Sequence, residues 1–201
     1  MSEIPAALTR PRTVATAALP RAGVLTDVLL IVIGAALVAA AAQVEILLSF
    51  TPVPLTLQTA AVLLVGGALG AWRGTVSMAL YVAAGLAGAP VYAGGAHGVA
   101  QLTGVTGGYL VGFIVAGAIA GRLAERQHDR QYVSSVGLNL LGTTVILVLG
   151  TIWLAIELDL SPGVAMEQGF IPFVAGDVLK VLAASAVLPA AWWVVGRVRD
   201  Q

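Results

Sequence analysis

The chain has 201 residues, of which 59% are hydrophobic and 10% charged, with a mean hydropathy of +0.96 and a formal net charge of zero. Soluble domains carry about 25% charged residues, so an all-α integral membrane protein is expected rather than a globular enzyme. Net neutrality without a dense basic stretch gives nucleic acid no footing; the lack of cysteine excludes disulfides, zinc thiolates and thiol catalysis; and two histidines in unrelated loops, His97 and His128, offer no metal-ligand spacing, so neither metal nor cofactor is expected.

Residues 1–22, rich in proline, arginine and threonine, read as a poorly ordered cytoplasmic tail, and 23–201 as a single membrane domain. Six apolar segments follow: Val24–Val44, Leu55–Ala71, Gly74–Leu86, Thr103–Gly121, Val133–Ile156 and Phe170–Gly196. The second and third, joined through Trp72-Arg73, form a tight helical hairpin too short to span without tilt. The first has an A-x-A-like sequence at Ala40-Ala41-Ala42 and arginines before it, as a signal peptide would. At about twenty residues it exceeds the usual h-region of about 7–15, which favours a retained transmembrane helix. The 24 glycines and many alanines suit close backbone packing in lipid.

Basic residues orient the bundle. Arg10, Arg12 and Arg21 precede the first segment, Arg73 lies between the second and third, Arg122, Arg126 and Arg130 between the fourth and fifth, and Arg197 and Arg199 follow the sixth. The alternate loops contain none, holding instead Glu45, His97, Glu157, Asp159 and Glu167. This positive-inside pattern predicts both termini cytoplasmic and loops 45–54, 87–102 and 157–169 outside. Lys180, the only lysine, is the one cation that topology does not require. It stands three residues after Asp177, on the same helical face and near the outer boundary. Ionised groups within a membrane cost about 2.5–3.5 kcal/mol each at mid-bilayer, so the pair is the leading candidate for function. The plain alternative is mutual neutralisation at i,i+3 spacing.

The outer loops are unusual. Thr51-Pro52-Val53-Pro54 is stiffened by two prolines, and Gln58 and Thr59 fall in the first turn of the helix that follows. Loop 87–102, with Tyr92, Gly94 and Gly95, and the run Thr106-Gly107-Gly108-Tyr109 are glycine-rich and nearly uncharged, as a lid over a ligand would be. Glycine-rich connectors and interfacial tyrosines are the plainer reading.

Four stretches in order carry a specific resemblance: Phe50–Thr59, Leu80-Tyr81 through Gly94, Thr106–Tyr109, and Pro172-Phe173 through Gly176-Asp177-Val178-Leu179-Lys180. Together they resemble the BioY family, the biotin-specific S components of energy-coupling factor (ECF) transporters. Tyr92 where phenylalanine is usual, Val105 where proline often precedes Thr-Gly-Gly, and the lack of an arginine in the second outer loop are departures. The resemblance implies a six-helix S-component bundle that captures biotin from outside, with Asp177 and Lys180 in the site. Gln58, Tyr92, Tyr109, Phe173 and Gly94 are further candidates.

The lone lysine is followed by valine, so no G-x-x-x-x-G-K-[ST] P-loop exists. ATP hydrolysis then has to come from partners, which the resemblance implies are a transmembrane coupling protein and two ATPases. Gly34, Ala35, Ala39 and Ala42 recur at small-residue spacing on the first segment. By themselves they fit partner docking or packing inside the bundle equally; the resemblance favours docking. Membrane lipid is a further partner, and self-association stays open. Two other functions remain: an S component for another small vitamin, or a small intramembrane enzyme using Asp177, Lys180 and His97 as acid–base groups. No nucleophile–base pair or metal set accompanies His97, so no catalytic residue is assigned.

Overall fold

The computed structural model describes residues 12–19 and 23–199, with side chains to Arg197; Arg10 and Arg21 of the charge census lie outside the described residues. In chain order the elements are α1 (Val14–Ala18), α2 (Val24–Ala42), β1 (Glu45–Ile46), β2 (Leu55–Thr56), α3 (Gln58–Leu69), α4 (Ala71–Leu86), a 3-10 turn (Ala93–Gly95), α5 (Val99–Thr103), α6 (Gly107–Glu125), α7 (Tyr132–Glu157), α8 (Pro162–Gly169) and α9 (Ile171–Arg199). Helices α2, α6, α7 and the stretch Pro162–Arg197 are long and apolar enough to cross a membrane. At about 1.5 Å rise per residue, the 12 residues of α3 reach roughly 18 Å and the 16 of α4 roughly 24 Å, short of a hydrocarbon core of about 30 Å.

Helix α6 is the centre of the bundle, packing on α3, α4 and α7, while α9 closes against α7 and α3. Glycine lets these helices touch. A Cβ on Gly66 would strike the backbone of Gly117, and one on Gly74 the backbone of Gly66, so α3, α4 and α6 meet where none has a side chain. The α3–α4 break falls at Gly70, whose φ of 88° only glycine adopts without strain. Trp72 and Arg73, expected as the link, lie instead in the first turn of α4. There Arg73 pairs with Asp27 of α2 at 2.7 Å.

Three features depart from expectation. Residues 12–19 are not a structureless stretch. Thr13 caps α1 in a reciprocal arrangement with Thr16, and Ala15 and Ala17 are buried where α1 meets α3 and α9. Five residues make no stable helix alone; tertiary docking forms it. A two-stranded pairing (Glu45 opposite Thr56, Ile46 opposite Leu55) ties together the two ends of the loop between α2 and α3. The third is the small-residue stripe. Gly34, Ala35 and Ala42 are buried and Ala39 packs on the core, with Gly34 seated against Ser77 and Val65. Those four residues pack within the bundle, and the face that α2 leaves open combines the small residues Ala36 and Ala40, which stand alongside the stripe, with Val28, Leu29, Val32, Ile33 and Leu37.

Candidate functional site

A cavity of about 160 Å³ lies between the first and second inter-helix loops and the ends of α3, α4, α6 and α9. Its rim is half-open: Pro52 is exposed, and Pro54, Ala93, Gln101, Val105 and Thr106 are half-buried. Its depth is closed by Gln58, Tyr81, Tyr92, Tyr109, Phe113, Phe173 and Asp177, all buried. Wall and floor are thus largely aromatic, with polar atoms confined to a few positions.

The charged pair sits in this cavity and is fixed from two elements. On α9, Lys180 Nζ meets Asp177 Oδ1 at 2.5 Å. Across the gap, Nζ also donates to the carbonyl of Thr56 at 2.8 Å and to Thr59 Oγ1 at 3.3 Å. An ammonium has three N–H bonds, so all three of its donors are committed. Thr59 in turn donates to Asp177 Oδ1 at 3.3 Å. Asp177 is only 3% exposed, and its second oxygen, Oδ2, has no partner among the described residues. An unpaired carboxylate oxygen at such depth is costly unless something else fills the position.

The tyrosines divide into two kinds. Tyr92 donates its hydroxyl to the Val82 carbonyl at 2.6 Å, and Tyr109 to the Gly169 carbonyl at 2.6 Å. Their rings are seated on helix positions without side chains, Gly85 for Tyr92 and Gly150 for Tyr109, where a Cβ would overlap the ring. Both therefore present faces rather than hydroxyls. Tyr109 tilts against Phe173 with centroids 6.1 Å apart, and Tyr92 meets Tyr81 edge-on at 5.5 Å. Tyr81 differs: its oxygen accepts from Gln58 Nε2 at 2.6 Å, while its own proton has no acceptor among the described residues. Thr56 Oγ1 donates to Gln58 Oε1 at 3.1 Å, which sets the amide so that its nitrogen faces Tyr81. The cavity thus offers a buried acceptor, Asp177 Oδ2, and a buried donor, the Tyr81 hydroxyl.

Of the seven binding residues expected from sequence, six line this cavity: Asp177, Lys180, Gln58, Tyr92, Tyr109 and Phe173. Gly94 does not. It occupies the 3-10 turn with φ 63°, exposed, against the Glu45 carboxylate. His97 is exposed on the same loop and outside the cavity, so it does not join Asp177 and Lys180 in any acid–base set. Tyr81, Phe113 and Gln101 are lining residues that sequence reasoning passed over. Tyr81 was legible in principle, as a hydroxyl inside an apolar run at helical spacing from Ser77 and Gly74.

A bundle of membrane-length helices around a cavity that holds a buried Asp–Lys pair defines a multi-pass membrane protein with room for a small ligand. A profile of the BioY family matches residues 11–197, and the chain belongs to that family. It is 37% identical over 164 residues to the "Probable biotin transporter BioY" of Pyrococcus horikoshii, covering 82% of this chain and 93% of the relative. "Biotin transporter BioY2" of Lactococcus lactis subsp. cremoris is 35% identical over 153 residues, 76% of this chain and 82% of that one. The fold matches the crystal structure of the S-component for biotin from an ECF-type ABC transporter, with a TM-score of 0.76, 24% identity, and coverage of 88% of this chain and 92% of the other. These relatives are named as transport proteins, not enzymes.

Proposed function

We propose that this chain is the biotin-binding subunit of an ECF transporter, capturing biotin at the outer face of the membrane. The observation that carries the reading is Asp177 Oδ2, an unpartnered acceptor deep in an aromatic-walled cavity. Biotin joins an apolar thioether ring to a ureido group with two N–H donors and a carbonyl, and ends in a carboxylate tail. Asp177 Oδ2 takes a ureido N–H, a charge-assisted hydrogen bond. The Tyr81 hydroxyl, held by Gln58, donates to the ureido carbonyl. The faces of Tyr92, Tyr109 and Phe173 enclose the bicycle. Lys180 balances the Asp177 charge and ties α9 to Thr56 and Thr59. The names of the relatives support biotin over other vitamins.

Six crossings follow if α3 and α4 count as two short spans held by their neighbours. The arginines at 73, 122, 126, 130 and 197 support an orientation with both termini cytoplasmic and the cavity outward. With no P-loop in the chain, the energy of uptake comes from a transmembrane coupling protein and two ATPases. The test of function is equilibrium binding of biotin to detergent-purified protein, with riboflavin and thiamine as controls. Selective biotin binding is expected; equal or preferred binding of a control would overturn the proposal. Orientation is tested separately, because the chain lacks cysteine. His97→Cys should react with an impermeant thiol reagent on intact cells and His128→Cys should not.

A further inference from the structure

We infer that the site reads the ring end of its ligand and is indifferent to the charge on the tail, so that it accepts derivatives whose carboxylate is converted to a neutral amide; this rests on the biotin reading above. A ligand carboxylate buried in the cavity needs a cation or several N–H groups, and among the described residues the only lysine or arginine lining it is Lys180. Its three donors are already matched by Thr56 O, Thr59 Oγ1 and Asp177 Oδ1. Turning one toward a ligand carboxylate would take it from Asp177, from Thr59 or from the Thr56 carbonyl, and so strip a partly buried acceptor of its partner. Between Arg21 and Arg122 the sequence contains a single arginine or lysine, Arg73, and that residue is paired with Asp27 away from the cavity.

The rim gives the same answer. Its polar side chain without a partner among the described residues is Gln101, a neutral amide that can donate to a carboxylate or to an amide carbonyl alike. The charged group beside the rim is acidic: Glu45 lies against Gly94, next to the lining residue Ala93. Burial grades from the closed ring-binding depth to this half-open rim. A tail leaving by the rim remains in contact with water, where its charge needs no protein partner. The ligand class is therefore a cyclic urea fused to an apolar ring, with either a free or an amide-linked tail, including biotin joined through its tail to the side-chain amine of lysine.

The experiment is a competition of biotin, biotinamide and biotinyl-lysine for the detergent-purified protein at pH 8. Biotin itself is the control: if it fails to bind, the functional proposal falls, whatever the amides do. With biotin bound, the two amides are expected to have dissociation constants within fivefold of its own. A loss of fivefold or more for both would overturn the inference and leave the biotin reading intact. Gln101→Ala supplies a second readout. It should weaken biotin and biotinamide by the same factor; a loss confined to biotin would mean that the site senses the carboxylate and would likewise refute the inference.

Discussion

Replacing Asp177 by asparagine separates what the buried pair does for the ligand from what it does for the fold. The amide oxygen can still accept from Lys180 and Thr59 in place of Oδ1. The position of Oδ2 then carries an NH₂ group, a donor facing the ureido donor. A hydrogen bond to a charged acceptor contributes about 1.5–3 kcal/mol, so biotin affinity should fall by about 10- to 150-fold. The same change leaves Lys180 without its counter-charge at a site where its side chain is only 13% exposed. Breaking a buried pair from one side costs up to about 3–5 kcal/mol, and the carbonyl of Thr56 retained by Lys180 brings the expected loss to the lower end. Thermal unfolding in detergent reads that loss, and calorimetric or tryptophan-fluorescence titration reads the affinity. The double variant Asp177→Asn, Lys180→Met restores neutrality and should recover much of the melting temperature without recovering binding. If Asp177→Asn binds biotin as the native chain does, or if the double variant regains affinity along with stability, the pair is structural and the reasoning fails.

Tyr81→Phe keeps the ring and removes a cavity hydroxyl whose proton has no acceptor among the described residues; a neutral hydrogen bond is worth about 0.5–1.5 kcal/mol, so affinity should drop roughly 2- to 12-fold with little change in melting temperature. Gly34→Val forces side-chain atoms into Ser77 and Val65, and overpacking of this kind costs about 1–3 kcal/mol; the melting temperature should fall while the affinity of the folded fraction is unchanged. In the loop between α6 and α7, burial pushes the Asp129 carboxyl above its ordinary range, while the Trp192 N–H draws it partly back. A raised folded value means that the folded chain holds the proton more tightly. The contribution to stability is then complete below the ordinary carboxylate value of about 3.9 and fades as pH rises through the folded value. Asp129→Asn keeps an acceptor for Trp192 without the charge, so its melting temperature relative to the native chain should improve steadily from pH 4 to pH 7; a difference that does not vary with pH would count against a buried titrating carboxyl.

The long apolar runs made α2, α6, α7 and α9 readable to within a few residues, because in lipid a helix of that length satisfies its own backbone. The pair at Asp177 and Lys180 was readable for a related reason: a charge unneeded for topology stands out where charges are few. Short elements were not. The helix at Val14–Ala18 exists only by docking on α3 and α9, and no local signal beyond Thr13 and Thr16 announces it. The stripe on α2 shows a different limit. Small residues at four-residue spacing demand close approach by something, yet the choice between a neighbouring helix and a separate protein depends on which face turns inward. Here the bulkier residues Val32, Ile33 and Leu37 face outward and Gly34 meets Ser77. Phe113 was hidden by its surroundings, since an aromatic hydrocarbon within an apolar helix looks the same whether it meets lipid, core or ligand.

The two pinned tyrosines join duties that other pockets keep apart. Tyr92 fastens the loop that follows α4 back onto α4, and Tyr109 fastens the turn between α8 and α9 to α6, while the same rings wall the cavity. Under the proposed function, a ligand against those rings rests on the same side chains that tie these connections to their helices. Opening the entrance means withdrawing a hydroxyl from its carbonyl, and every withdrawal also loosens the wall. Residence time and loop attachment become one mechanical quantity, so tyrosine-to-phenylalanine changes at these positions should quicken both arrival and departure of the ligand while leaving its resting affinity nearly as it was.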